Sequence, residues 1–209
     1  MLPLQGKRAA SRAANEKRII EAAESLLGTH GAAGLSLRHV AKQVGMAPSA
    51  IYRYYNGIDS LFTALILRAY NDQARAAETA FAGVEKPTNW TEAEEATVIV
   101  TRAIRAWALE NPHRYALICG SPVPGYRAPE ETIAAAAATG QVLAQCVPME
   151  GIDPIPAELV RMWVQVYGVI SFELFGHLKG SIDDVSEFFE ETVRLGVKQL
   201  RATLEFHNT

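Results

Sequence analysis

The sequence predicts an all-α protein of about nine helices, with a small N-terminal three-helix unit followed by a larger helical domain. Three observations carry that prediction. Apolar residues recur at the helical period from Ala13 to near the end, with no strand-like alternation, no fixed repeat and no phosphate-cradling glycine loop. Two short helical patterns, joined through Gly45, fill Leu35–Tyr55, LSLRHVAKQVGMAPSAIYRYY. Proline-punctuated loops at 121–129 and 148–156 separate long helical stretches.

Residues 1–12 read as a basic, flexible arm containing Pro3 and Gly6. From Ala13 to Thr29, Ile19, Ile20, Ala23, Leu26 and Leu27 form one face, while Lys17, Arg18, Glu21 and Glu24 face outward. His30-Gly31 ends that helix. Ser36 is placed to cap the next, whose inner face is Leu37, Val40, Ala41 and Val44, and Gly45 suits the residue after its last turn. Pro48 fits the first turn of a third helix reaching Tyr54, because its missing N–H would have no helical partner there. Ala50, Ile51 and Tyr55 supply inner contacts, and Ser49, Tyr52, Arg53 and Tyr54 remain on the wet side.

The N-terminal domain is expected to span 13–57, ending at Asn56-Gly57, and the larger domain 58–209. A long helix covers about 58–81, and a linker with Pro87 leads to another over about 91–110. Asn111-Pro112 starts a short helix ending at Gly120. An alanine-rich helix covers about 129–147, where small residues let neighbours approach closely. The last two helices, about 156–178 and 184–204, are the most apolar part of the chain, and Asp183 or Asp184 caps the final one.

The balance of 49% apolar and 21% charged residues is that of a folded soluble protein, and no apolar run is long enough to span a bilayer. The N-terminus lacks the apolar stretch of an export signal, so a cytoplasmic location is expected. Cys119 and Cys146 stand far apart without metal-ligand spacing and read as apolar filler, so neither a metal nor a cofactor is expected. Charge is uneven. Residues 1–57 hold eight basic and three acidic residues, whereas the remainder holds twelve and twenty. Such a split fits an N-terminal part that meets a polyanion, or a basic tail that is only solvated.

A cation-bearing helix, a glycine turn and a second helix with an exposed polar face are the requirements of a helix-turn-helix, and Leu35–Tyr55 meets all three. An ordinary helical hairpin is the competing reading. Residues 17–67 closely resemble the DNA-binding domain of the TetR family of bacterial transcriptional regulators. The match rests on Ile19/Ala22/Ala23, Gly34, Val40-Ala41, Gly45, Ile51-Tyr52-Arg53-Tyr54-Tyr55 and Leu61-Phe62, all at the family's spacing.

The resemblance implies a homodimeric repressor with two recognition helices in successive major grooves of a palindromic, double-stranded DNA operator. Position by position, Tyr52 matches the recognition tyrosine, Tyr54 a phosphate-contacting position and Tyr55 a core aromatic. Ser36 and Arg38 match contacts to backbone or groove edge, and Ser49, Ala50 and Arg53 the variable positions that set operator preference. Pro48 opens the same face. Chemically, Arg53 can read guanine through O6 and N7, worth about 1–3 kcal/mol if bidentate, and Ala50 can meet a thymine methyl. Lys7, Arg8 and Arg12 would bind phosphate, adding affinity and salt dependence rather than sequence preference.

The pattern departs in two places. Gly57 and Ile58 stand where the family often has a capping Ser or Thr followed by Lys, which removes a usual phosphate contact. Downstream, NPHRYALICGSPVPGYRAP and RMWVQVYGVISFELFGHL are similar to a subgroup described by a Trp-His-Gly signature. Trp163 and Gly168 match it, but Tyr167 replaces its histidine.

Helices apolar on nearly all sides need a second cover. The last two are therefore assigned to a dimer interface, as the resemblance also implies. A regulator of this kind would hold an apolar small-molecule effector, with Trp107, Tyr115, Leu117, Tyr126, Met162, Trp163, Val166 and Ile170 as candidate lining, although aromatics at helical spacing also serve as plain core. Glu173 and His177 read as an i,i+4 pair. The alternatives are a DNA-binding regulator without an effector and a helical enzyme or carrier. The latter has no nucleophile–base or metal constellation arguable from spacing.

Overall fold

The computed structural model describes the backbone of residues 4–149 and 156–207, and the side chains of residues 9–149 and 156–205. Nine α-helices and one 3-10 turn are present among them, and no strand. They are α1 (Leu4–His30), α2 (Leu37–Val44), α3 (Pro48–Ile51), α4 (Ile58–Phe81), α5 (Trp90–Glu110), α6 (Pro112–Cys119), α7 (Glu131–Gln145), α8 (Ala157–Leu174) and α9 (Val185–His207). The 3-10 turn is Ala32–Gly34. Most of the loop expected at 148–156 lies outside the described residues.

The chain forms two compact units. The first joins 1–69 to 113–132, and the second joins 70–112 to 133–209. This division differs from the expected boundary at 57, and packing explains it. Leu117, Val123 and Tyr126 lie on the same apolar core as Ile19, Ala23, Leu35, Val40, Ala41, Ile51, Leu61, Phe62 and Leu65. Tyr126 also meets the Phe62 ring at a 5.7 Å centroid distance, and its hydroxyl lies 2.9 Å from Thr63 Oγ1. Each large side chain withdrawn from water in this core contributes about 1.5–3 kcal/mol. A segment that covers such a core therefore folds with it.

Helix α1 starts at Leu4, earlier than the Ala13 expected from apolar periodicity. The reason is intrinsic propensity. Ala9, Ala10, Arg12, Ala13 and Ala14 favour helix without any buried face, and Arg12 Nε reaches Glu16 one turn on at 2.8 Å. The arm foreseen at 1–12 is thus mostly a continuation of α1. The side chains of Lys7 and Arg8 lie outside the described residues.

Two ends were legible at single residues, and a third to one of two neighbours. Ser36 caps α2, its Oγ accepting from His39 N–H at 3.3 Å. Gly45 closes α2 at φ 70°, with its own N–H on the Lys42 carbonyl and Met46 N–H on the Ala41 carbonyl at 2.9 Å. Asp184 caps α9, accepting from the N–H groups of Ser186 and Glu187 at 2.9 Å. Helix α8, by contrast, stops at Leu174 rather than running to 178. Gly176 adopts φ 80° and His177 N–H returns to the Phe172 carbonyl at 2.8 Å, the same closing geometry as at Gly45.

In the second unit, α9 packs along α5 and α8. Met162, Leu159, Val147, Val197 and Leu200 form one core cluster. Ion pairs stitch α5 to α9: Arg102 to Glu190, and Arg194 to Glu94 at 2.9 Å and Glu95 at 2.7 Å. The alanine-rich α7 does allow a close approach, since a Cβ on Gly140 would sit 2.5 Å from Trp163 Cζ3. Glu173 does not pair with His177. It receives two hydrogen bonds from Arg105, at 2.6 and 2.7 Å, because a guanidinium offers a carboxylate two parallel donors and an imidazole offers one. His177 instead lies edge-on to the Phe172 ring.

Candidate nucleic-acid interface

Ile51 is fully buried and pins α3 to the core, and that one anchor decides what faces out. Pro48, Ser49 and Arg53 are exposed, Tyr52 is 58% exposed, and Ala50 is half-buried. On α2, Arg38, His39 and Lys42 are exposed opposite the buried Leu37, Val40 and Ala41. Ser36 is half-buried with its hydroxyl committed to the α2 cap.

The recognition element is shorter as a helix than expected. After Ile51 the chain continues as a tight turn, with Arg53 N–H on the Ala50 carbonyl and Tyr54 N–H on the Ile51 carbonyl. The cause lies in Tyr54 and Tyr55, which both pack against the core although they are adjacent in sequence. A regular helix would point successive side chains about 100° apart. Burial and then Glu16 push the Tyr55 phenol above its ordinary pKa, consistent with a core role. Tyr54 has its ring on the core and its hydroxyl on Asn15, whose Nδ2 donates at 3.0 Å. The Arg12 guanidinium lies 5.7 Å from the centre of that ring.

Two further side chains brace this surface, and neither is prominent in sequence. Arg18 Nη2 donates to the Val44 carbonyl at 2.9 Å, placing a cation at the negative end of α2. Glu24 on α1 draws together Arg68 Nε at 3.1 Å and Arg114 Nε at 3.4 Å, so α1, the first half of α4 and α6 share one carboxylate. Only a polar residue on the inner edge of α1 hinted at Asn15, and its partner is thirty-nine residues away.

The candidate effector residues fall into both units. In the first, Tyr115 is fully buried, Tyr126 sits on the N-terminal core, and Leu117 lines a cavity of about 100 Å³ with Leu27, Ala32, His113 and Val123. In the second, Met162, Val166 and Ile170 are buried on one face of α8 at four-residue spacing, Trp107 is nearly buried, and Trp163 packs on Tyr167. Burial pushes both thiols, Cys119 and Cys146, up to about 12. Among the described residues no group of acidic, His or Cys side chains could hold a metal, and no helix is long and apolar enough to cross a membrane.

This arrangement is a helix-turn-helix reading head joined in sequence to a larger helical unit. Residues 19–65 match the profile of bacterial regulatory proteins of the tetR family, and residues 98–195 that of the tetracyclin repressor-like C-terminal domain. HTH-type transcriptional regulator Rv1816 of Mycobacterium tuberculosis is 34% identical over 93% of this chain and 96% of its own length. The same figures hold for HTH-type transcriptional regulator Mb1846 of Mycobacterium bovis. Among solved structures, regulatory protein SCO4313 superposes with a TM-score of 0.74 at 33% identity, covering 92% of this chain and 97% of that one. A TetR family transcription regulator from Marinobacter aquaeolei shares the fold, with a TM-score of 0.64 at 20% identity over 92% and 97% of the two chains. The chain belongs to the TetR family of transcriptional regulators and is a DNA-binding protein of that class.

Proposed function

We propose that this protein is a cytoplasmic repressor that binds a palindromic DNA operator as a homodimer and is released by an apolar small molecule. The observation that carries the reading is the second apolar face of α8. Leu159, Met162, Val166 and Ile170 are buried within the protomer, yet Val160, Val164, Phe172 and Phe175 are 42%, 65%, 55% and 48% exposed. On α9, Leu195 is 54% exposed. A stripe of this kind along two adjacent helices is what a twofold interface would bury. Two copies held there would present two reading heads, and a palindrome mirrors that symmetry.

At each half-site, Ser49, Ala50 and Arg53 meet base edges beside the recognition tyrosine Tyr52. The hydroxyls of Tyr52, Tyr54 and Ser36, with Lys7, Arg8 and Arg12, mostly meet phosphate, and Arg38 meets backbone or groove edge. The effector acts by preferring one spacing of the two heads, since a ligand shifts an equilibrium only through differential affinity. Trp107, Met162, Trp163, Val166 and Ile170 are its candidate contacts in the second unit. Tyr115, Leu117 and Tyr126 are those in the first.

Sedimentation of the full chain, footprinting on the DNA upstream of its own gene and displacement by small molecules test the three parts. A dimer that Val164→Glu dissociates, and a palindromic footprint lost in Arg53→Ala, are expected. A monomeric wild type or a footprint unchanged by both Arg53→Ala and Tyr52→Phe would overturn the reading. Failure of every compound to release DNA would remove the effector alone.

A further inference from the structure

Gln73, on α4, is 1% exposed. Its Oε1 accepts from the Tyr167 hydroxyl at 2.6 Å and from Thr139 Oγ1 at 3.4 Å. A separation of 2.6 Å is short for N–H···O but ordinary for O–H···O, so the amide oxygen, not the nitrogen, faces Tyr167. That leaves Nε2 buried, and among the described residues it meets no hydrogen-bond acceptor. A buried amide with two idle donors is less stable than an apolar residue of the same shape. Its orientation is nevertheless held by two hydroxyls from α7 and α8, with the Trp163 ring 5.6 Å from that of Tyr167.

We propose that Gln73 Nε2 is the polar anchor of the effector site, donating to a neutral carbonyl or ether oxygen on an otherwise apolar molecule. The inference rests on the effector reading above. An amide, a phenol and a hydroxyl carry no formal charge, so an anion buried there would lack a counterion, and a cation would face N–H donors. Tyr167 acts as a positioning residue: it fixes which end of the amide is presented. The family histidine replaced at this position would not supply the same phenolic donor.

The full-length protein, with labelled side-chain amides, is titrated with 2-heptanone, heptanoate at pH 8 and heptane while amide resonances are followed. One glutamine amide pair, absent in Gln73→Leu, shifts saturably with the ketone. Gln73→Leu weakens ketone binding about tenfold, Tyr167→Phe weakens it less, and heptane binding is unchanged by either. Gln73→Met replaces Gln73→Leu if thermal unfolding shows the latter unfolded. Three results overturn the proposal: no saturable shift, equal affinity for heptanoate, or a bound water that stays on the amide at ketone saturation. Operator binding is measured on the same samples. Ketone bound at Gln73 without DNA release leaves this anchor standing and removes the effector reading. DNA release by any compound that leaves the Gln73 amide unmoved removes the anchor and keeps that reading.

Discussion

Asn15 Nδ2 donates to the hydroxyl of Tyr54 at 3.0 Å, tying α1 to the end of the recognition turn. The bond leaves the phenolic proton available to donate, and in the DNA complex proposed above it would go to a phosphate. Asn15→Ala removes a part-buried hydrogen bond worth about 1 kcal/mol. If Tyr54 meets the phosphate backbone as proposed, operator affinity in fluorescence anisotropy falls about fivefold with the footprint unchanged, because a backbone contact reads no base.

Gly45 gives a cleaner test of the turn. It lies at φ 70° with nothing within 4 Å of where a Cβ would stand, so only backbone strain opposes a side chain there. Gly45→Ala should cost about 1 kcal/mol in urea unfolding and Gly45→Val more, with Gly45→Asn the mildest of the three. Equal losses for Ala and Asn would show that a contact, not φ, decides this position.

Arg105 and Glu173 form a largely buried ion pair in the second unit, their side chains 15% and 17% exposed. The guanidinium also lies over the Phe189 ring. Glu173, chiefly through its hydrogen bonds, raises the Arg105 pKa further, so the cation stays charged throughout. Arg105→Met strands a carboxylate and should destabilise the protein by about 3 kcal/mol. Adding Glu173→Leu should recover part of that loss, and a double-mutant cycle by chemical unfolding measures the coupling.

Acid should loosen the α5–α9 seam. The hydrogen bond from Arg194, and then its charge, hold Glu95 below its ordinary value of 4.5, and Glu92 is lowered by the Thr88 backbone N–H and hydroxyl. A depressed folded-state pKa means stabilisation that is complete above 4.5 and lost as pH falls through the lowered value. The Arg194→Met protein should therefore lose less stability across that window than the wild type. Both carboxylates are solvent-facing, so the difference is small and shrinks in high salt.

How much of this could be read from the chain depends on the range of each interaction. Ser36 and Gly45 were legible, and the α9 cap down to Asp183 or Asp184, because a cap is decided within four residues. Ile51 was legible among the inner contacts, with Ala50 and Tyr55, because the helical period sets it opposite the polar face. The start of α1 was missed because alanine and arginine form helix without an apolar face to announce it. The Arg105–Glu173 pair, the Glu24 cluster and the Gln73 contacts were invisible because each joins residues from helices distant in sequence. Glu173 and His177 looked paired on the helical grid. The grid breaks at Gly176, whose αL backbone no periodicity reveals.

The unit that carries the reading head is not one stretch of chain, since residues 113–132 complete it from beyond α5. Gene fusion or recombination that exchanged only the first sixty or so codons would transplant a core without Leu117, Val123 and Tyr126. A workable graft of this unit must therefore carry two separate segments, 1–69 and 113–132, and a single cassette taken from the start of the chain would leave its own core uncovered.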